Sequence, residues 1–523
     1  AYTGRVYVDK NKNGVFDPGE KTWAGIKVSD GLNVVETAAD GSFTLPGHER
    51  ERFIFITTPS GYKTFNRHYH KIEEKQSGYD FGLMPYSGRI RKDGSHKYIH
   101  IADTEIFNTE NHEDWVNNVR DYARNEQAAF IIHTGDICYE KGLKAHIKLM
   151  NTENMDCPVF YCIGNHDLVK GKYGEELFES IYGPVYYSFD AGNVHYVVTP
   201  MPGGDHAPGY TSDDVCRWLK NDLAHIRPGT PVVVFNHDLL TYEDAFIFKS
   251  KNAGSINLNE HNLKAWVYGH WHINYMKKQG DVYSVCTSSL DKGGIDHSTT
   301  AFRVMHVDSK GDFTSELRYT YLDKNICIAS PAGVMASGVL PVAVNVYSSV
   351  SPVKEVLYTC LADGKPVLKN KRLLQSTDWS WNGELPLSHK YVGKELTLRV
   401  TARFNNGEIA KAESNFVCRT EKVAPLFSAD WDNLLGNAKH SAPVSAPLNL
   451  PLQLAWTNNV GANLYMTSPL IHKGKVIVAS VDEDLKGAGH VYALNGKDGT
   501  ILWSCPVRNS IKNSIAAVSY THL

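Results

Sequence analysis

The chain has 523 residues, 42% of them hydrophobic and 21% charged, with a formal net charge of −3. At roughly 100–200 residues per domain, that length implies three or four domains. With that near-neutral balance nothing marks the chain as a nucleic-acid or membrane-surface binder, and no run of about 18 apolar residues is present to span a bilayer. The chain opens on Ala1 without a methionine or an apolar leader. A mature secreted protein reads this way once its signal is removed, so a periplasmic, secreted or cell-surface location is expected. The nine cysteines, Cys138 to Cys505, include no CxxC pair. They do not suggest a disulfide framework, and Cys138, Cys286 and Cys360 read as small buried hydrophobes.

Residues 1–87 carry short alternating runs, "GRVYVD", "GIKVSD", "GSFTLP" and "RFIFITTP", separated by turn residues. They predict a small all-β module. Inside it, "DKNKNGVFDPGE" fits the calcium-loop pattern at every position. Asp9, Asn11 and Asn13 offer side-chain oxygens, Gly14 permits the sharp turn, Val15 offers its carbonyl, Asp17 stands ninth and Glu20 can be bidentate. The flanks read as strands, so this is no helix-loop-helix hand. The competing reading is a polar hairpin loop whose Asn and Gly serve the turn. A structural Ca²⁺ is the expectation. The module resembles the calcium-binding β repeats of bacterial surface proteins.

From 88 to 322 strands and helices alternate. "KYIHIAD", "AAFIIHTGD", "PVFYCIGNHD", "PVVVFNHD" and "KAWVYGHWH" read as strands running into loops. A helix follows the first, with Trp115, Val119 and Tyr122 on one face. Another carries Val215, Trp218, Leu219 and Leu223 at helical spacing, with Ser212 or Asp213 as its cap. Such alternation predicts an α/β layer domain. Residues 323–422 return to β character and suggest a sandwich. Residues 423–523 contain strands punctuated by Gly474, Gly489 and Gly499 and read as one four-stranded propeller blade. One blade cannot close a propeller, so the chain is expected to stop early. The closing "VSYTHL" breaks the pattern and carries no structural expectation.

Five short motifs occur in order, nearly all where a strand gives way to a loop: "DTE" at Asp103, "GDICY" at Asp136, "GNHD" at Asn165, "NHD" at His237 and "GHWH" at His270. Each alone is weak; their order and placement are not. Hydrolysing a phosphate ester near neutral pH needs a strong nucleophile and charge neutralisation. Two cations about 3.5–4 Å apart supply both, bridged by a carboxylate. Imidazoles and an amide oxygen suit Zn, Fe or Mn. Ligands at the carboxyl ends of strands converge on one crevice. His100, His133 and His195 lie within strand patterns and read as core or supporting groups.

These motifs resemble the calcineurin-like metallophosphoesterase superfamily, with its pattern D-x-H, G-D-x-x, G-N-H-[DE], a lone His and G-H-x-H. The resemblance implies that Asp103 and His272 bind a first metal, that Asp136 bridges, and that Asn165, His237 and His270 hold the second. It makes His166 a transition-state stabiliser or general acid, with Asp167 able to orient its imidazole. The cofactors implied are two divalent or trivalent transition metals (Fe, Zn or Mn). The implied substrate is a phosphorylated small molecule, lipid or sugar. The β modules on either side resemble those of secreted or periplasmic phosphoesterases of Bacteroidetes, and "VYALNGKDGTILW" resembles a quinoprotein-like propeller repeat. The expected fold is multidomain: a central α/β metallophosphoesterase sandwich, two β-sheets flanked by helices, with all-β accessory domains.

One motif departs from the pattern. Glu105 stands where D-x-H has its histidine. Glu105 could ligate the first metal and bias it toward a harder ion, or stand beside an opened site. Alternatively Tyr139, in "GDxxY", could serve as the tyrosinate of purple acid phosphatases, whose first motif is however D-x-G. The rival reading is a non-catalytic surface or binding protein with a degenerate site. The survival of His166 and of both "GHWH" histidines argues for the enzyme.

Overall fold

The runs "FIIH" and "VVVF" have no polar alternation, which is what a strand covered on both faces requires. In the computed structural model both are buried along their whole length. The structure describes all residues except 77, 421–429, 443–451, 465–466, 482–488 and 519–523, so most of "VSYTHL" lies outside the described residues. The chain divides into two compact units, Ala1–Thr320 and Tyr321–Leu523.

The first unit holds the N-terminal module and the α/β region. The module is two four-stranded sheets closed over Val6, Val28, Phe43, Leu45, Ile54 and Phe81. The α/β region is a sandwich. Its five-stranded sheet runs in the order Val159–Tyr161, Phe130–His133, His96–Ile101, Ala301–Val307, Phe313–Tyr319. Its six-stranded sheet runs Tyr187–Ala191, Val194–Val198, Val232–Phe235, Leu263–Tyr268, Val282–Cys286, Tyr275–Gln279. The sheets meet through aromatic rings, with Phe160 of one stacked on Phe189 of the other at 3.8 Å between centroids. The central strands of each sheet pair in parallel, so within each sheet their carboxyl ends lie along one edge.

Helix Glu113–Asn125 buries Trp115, Val119 and Tyr122 against Ile99, Ile131 and Val304 of the five-stranded sheet. Helix Ser212–Ala224 buries Trp218, Leu219 and Leu223 in the cluster that contains Val233 and Trp266. Its cap is Thr211, not Ser212 or Asp213. The Thr211 hydroxyl accepts from Asp214 N at 3.2 Å and the Asp214 carboxylate accepts from Thr211 N at 2.8 Å. This reciprocal pair satisfies two donors at once, which neither following residue could do.

The second unit contains a β-sandwich of a four-stranded and a five-stranded sheet around Tyr358, Trp381, Leu398, Phe404 and Phe416. It also contains an antiparallel meander of Leu470–His472, Lys475–Ala479, Gly489–Asn495 and Ile501–Val507, paired in chain order. All nine cysteines are free, and Cys138, Cys286 and Cys360 are buried. No helix among the described residues is long and apolar enough to cross a membrane.

Candidate metal centre

Every strand that the sequence reads as running into a motif does so at the carboxyl edge of its sheet. Asp103 follows His96–Ile101, Asp136 follows Phe130–His133, and Asn165 follows Val159–Tyr161. From the other sheet, His237 follows Val232–Phe235, while His270 and His272 follow Leu263–Tyr268. The turns are tight. A Cβ on Gly135 would lie 2.6 Å from His237 Nδ1, and one on Gly164 would lie 2.3 Å from Asp136 N. Asp103, Glu105, Asp136, Cys138, Tyr139, His270 and His272 all adopt positive φ without being glycine. Such backbone costs on the order of 1–3 kcal/mol per residue and persists where the surroundings over-determine it.

The side chains form two overlapping groups. Ligand atoms of Asp136, His237 and His270 lie within 4.8 Å of one another, and so do those of Asp103, Glu105, Asp136 and His272. Asp136 belongs to both. His237 Nε2 is 3.1 Å from Asp136 Oδ2, and His272 Nε2 is 3.4 Å from Asp103 Oδ1 and from Glu105 Oε1. His237 Nδ1 donates to Thr134 O at 2.7 Å, which turns Nε2 toward the carboxylates. Asn165 Oδ1 is buried and has no hydrogen-bond partner among the described residues. A bare buried acceptor costs about 1–3 kcal/mol, so this oxygen, three carboxylates and three imidazoles fit a pair of cations.

The electrostatics agree with that fit. Burial alone would lower the His237 pKa, but the charge of Asp136 and the bond to it raise the ring to about 9. The hydrogen bond to Asp103 raises His272. Both shifts come from acidic neighbours whose charge a cation would otherwise satisfy.

Glu105 joins the group of Asp103, Asp136 and His272 rather than standing apart from it. Its other oxygen is 3.6 Å from Lys292 Nζ, which also donates to the carbonyls of Thr104 and Glu105 at 2.9 Å each. Tyr139 opens helix Tyr139–Leu149, is 45% exposed, and sets its ring 5.3 Å from that of His166. Partial desolvation, with the nearby acidic charges, holds its hydroxyl above the usual range.

His166 and Asp167 part company. The Asp167 carboxylate is buried and accepts from Asp136 N at 2.9 Å, Cys138 N at 2.8 Å and Gly164 N at 2.8 Å. It ties the Asp136 loop to the Asn165 loop. The carboxylate bonded to the His166 ring is instead Asp205, whose Oδ2 is 2.8 Å from His166 Nδ1. Burial would lower the His166 pKa; the bond to Asp205 and the charges of Asp136, Asp205 and Glu105 together raise it. Lys292 and Asp205 are the site residues that sequence reasoning misses. Both sit in loops without a motif, and only the fold brings them in. His100, His133 and His195 are buried and bonded: His100 to Thr134 and Thr287, His133 to Thr104, His195 between Asp190 and Asp222.

The Asp9–Glu20 loop joins two strand regions. Asp9 accepts from Gly14 N at 2.8 Å, Asp17 Oδ2 accepts from the amides of Asn11 and Asn13 at 2.7 Å each, and Glu20 accepts from Lys10 N and Asp17 N. The Val15 side chain is exposed.

Residues 10–86 match the family model described as the N-terminal domain of calcineurin-like phosphoesterase, and residues 96–274 match that of calcineurin-like phosphoesterase itself. No curated protein matches. Among solved structures the chain is similar to GAP50, the anchor in the inner membrane complex of Plasmodium. That likeness has 12% identity, covers 43% of this chain and 84% of that one, and has a TM-score of 0.29. It is also similar to a novel archaeal phosphodiesterase (14% identity, 42% and 99% covered, TM-score 0.21). A third likeness is to zinc-complexed Vps29 from Entamoeba histolytica (11% identity, 44% and 94% covered, TM-score 0.24).

Proposed function

The chain belongs, through residues 10–86 and 96–274, to the calcineurin-like phosphoesterases, and on that premise we propose that it is an active hydrolase of phosphate esters that uses two metal ions. The observation that carries the proposal is the membership of Asp136 in both ligand groups. In this reading Asp103, Glu105 and His272 hold one ion, Asn165, His237 and His270 hold the other, and Asp136 bridges. A carboxylate in place of an imidazole biases the first position toward a harder ion such as Mn or Fe. When bound, such a pair neutralises phosphate charge and supplies an acidified water.

The chain's own residues do the rest. Asp167 fixes the spacing of the two loops that carry Asp136 and Asn165. The Thr134 carbonyl fixes the tautomer of His237. His166, bonded at Nδ1 to Asp205, has Nε2 free to protonate the departing oxygen. The substrate is a phosphorylated small molecule, or the phosphate of a lipid or sugar. In the same reading Asp9–Glu20 takes a structural calcium ion, supported by the Gly14 and Glu20 hydrogen bonds that shape the loop, and the meander of the second unit is a single propeller blade.

The test is elemental analysis of the purified protein with a screen of phosphate mono- and diesters. Asp136→Asn should lose metal and abolish turnover, because an amide leaves two cations repelling. An Asp136→Asn protein with two metals and a near-normal rate removes the bridging assignment. His166→Ala should keep both metals and lose about 10²–10⁴-fold in rate.

A further inference from the structure

The His166 side chain is 34% exposed, with the Tyr139 ring 5.3 Å away on one side. Its backbone is anchored, because His166 N donates to Asp136 Oδ1 at 3.0 Å. Its ring is aimed by one carboxylate, Asp205. Asp205 lies between strand Val194–Val198 and helix Ser212–Ala224, in a stretch with no secondary structure of its own. What holds Asp205 therefore holds the ring.

Four contacts fix that stretch. Asp205 N donates to Asn165 O at 3.0 Å and Gly174 N donates to Ala207 O at 2.8 Å. Gly209 N donates to both oxygens of Glu175, at 3.0 and 2.9 Å. The Gly209 carbonyl accepts from Arg50 Nη2. The last two lead out of the α/β sandwich. Arg50 and Arg52 belong to the N-terminal module and immediately precede strand Phe53–Ile56. Glu175 is fully buried, and Arg52 neutralises it from 2.7 Å while lying over the Tyr173 ring at 4.5 Å. Arg52 also binds Glu179 at 2.8 Å. Arg50 forks onto Asp214, the residue that answers the Thr211 cap of the next helix, with bonds of 2.8–3.1 Å. The module thus grips Gly209 by its N–H, through Glu175, and by its carbonyl.

We propose that Asp205 is the positioning residue of His166, and that the N-terminal module sets this pair through Arg50 and Arg52. The proposal rests on the reading of His166 as the acid. In the step it serves, the proton on Nε2 passes to the departing alkoxide or phenoxide oxygen. The N–H on Nδ1 stays bonded to Asp205, and solvent returns the proton to Nε2 afterwards. Asp205 touches neither substrate nor metal ligand side chain in this scheme. It acts through the ring.

The experiment uses the full-length, metal-loaded protein with two phosphate esters that differ in their leaving group, p-nitrophenyl and phenyl, as monoesters and as diesters. Asp205→Asn should lower kcat for the phenyl ester by roughly 10–100-fold, the usual effect of losing an orienting partner. The nitrophenyl ester, whose leaving group needs little protonation, should lose far less. Metal content and melting temperature should stay at wild-type values, and Asp205→Glu should restore part of the phenyl rate. Arg50→Gln and Arg52→Lys should shift the phenyl-to-nitrophenyl ratio in the same direction by a smaller factor. Arg52→Lys keeps a positive charge on buried Glu175; should that variant not fold, Arg50→Gln carries the arm. Equal loss on both esters, no loss, or unshifted ratios in the arginine variants would overturn the proposal. His166→Ala separates it from the underlying reading. If that variant loses equally on both esters, the acid role itself is wrong. If it is selective and Asp205→Asn is not, only the present inference falls. A readout independent of turnover is carbethoxylation of His166 by diethyl pyrocarbonate, followed by peptide mass spectrometry. A ring freed from Asp205 should react faster, and an unchanged rate in Asp205→Asn would refute the contact even if no ester is turned over.

Discussion

Asp167→Asn distinguishes a clamp from an orienting group. In the wild type Oδ2 accepts from Asp136 N and Gly164 N, and Oδ1 accepts from Cys138 N. An amide of the same shape has one acceptor. With its oxygen in the Oδ2 position it keeps two of the three bonds and turns its NH₂ toward Cys138 N. That orphans one buried donor, at about 1–3 kcal/mol, and the two surviving bonds lose the roughly 1 kcal/mol that a charged acceptor adds. Against this stands the relief of crowding with Asp136, since burial and then that neighbouring charge push the Asp167 carboxyl upward. Bound cations cancel most of that crowding, so the loss wins in the loaded protein. A net cost of about 2–3 kcal/mol lowers the melting temperature of a unit this size by roughly 3–5 °C. Because the Asp136 and Asn165 loops lose their tie, metal affinity should fall by about 10–100-fold. Thermal melting with elemental analysis reads both. If the variant melts within about 1 °C of wild type and keeps its metals, while losing rate only on poor leaving groups, Asp167 orients His166 and the clamp reasoning is wrong.

Glu105→Ala should weaken the first ion position so that activity requires added metal, whereas Glu105→His should retain metals with preference moved toward Zn. A silent Glu105→Ala together with a visible tyrosinate band in iron-loaded protein would transfer the ligand role to Tyr139. Metal loading should release protons at neutral pH. His237 stands at about 9 in the metal-free protein and must be neutral to ligate, so loading strengthens as pH rises toward that value. Calorimetric titration in buffers of different ionisation heat should show at least one proton released per chain at pH 7, and none would contradict the protonated His237. Calcium at about a hundredfold excess over its dissociation constant should stabilise the N-terminal module by about 2.7 kcal/mol. Calcium-independent melting, or the same shift in Glu20→Gln, would remove the ion from Asp9–Glu20.

The sequence by itself determined the layered fold and the ligand-bearing loops. Apolar runs such as "FIIH" read as strands buried on both faces, and each ends in a motif whose Gly135 or Gly164 leaves no room for a side chain. Helix faces were legible for the same reason, since Trp115, Val119 and Tyr122 repeat at helical spacing and are all buried. What depended on contacts across the chain was not legible. The Thr211 cap is different: Asp214 answers it from three residues on, a local T-x-x-D spacing that was legible and that the choice of Ser212 or Asp213 passed over. Asp167 and Asp205 are both aspartates near a histidine. Their roles separate only because the fold turns one carboxylate onto three backbone amides and brings the other, 39 residues from His166, to the ring. Glu105 looked like a defect in a local pattern, yet the strand ends set it 3.4 Å from His272, a residue more than 160 positions away. Local spacing encodes which element a residue sits on. Which side chains share one crevice is decided by sheet order and loop path, and those are properties of the packed whole.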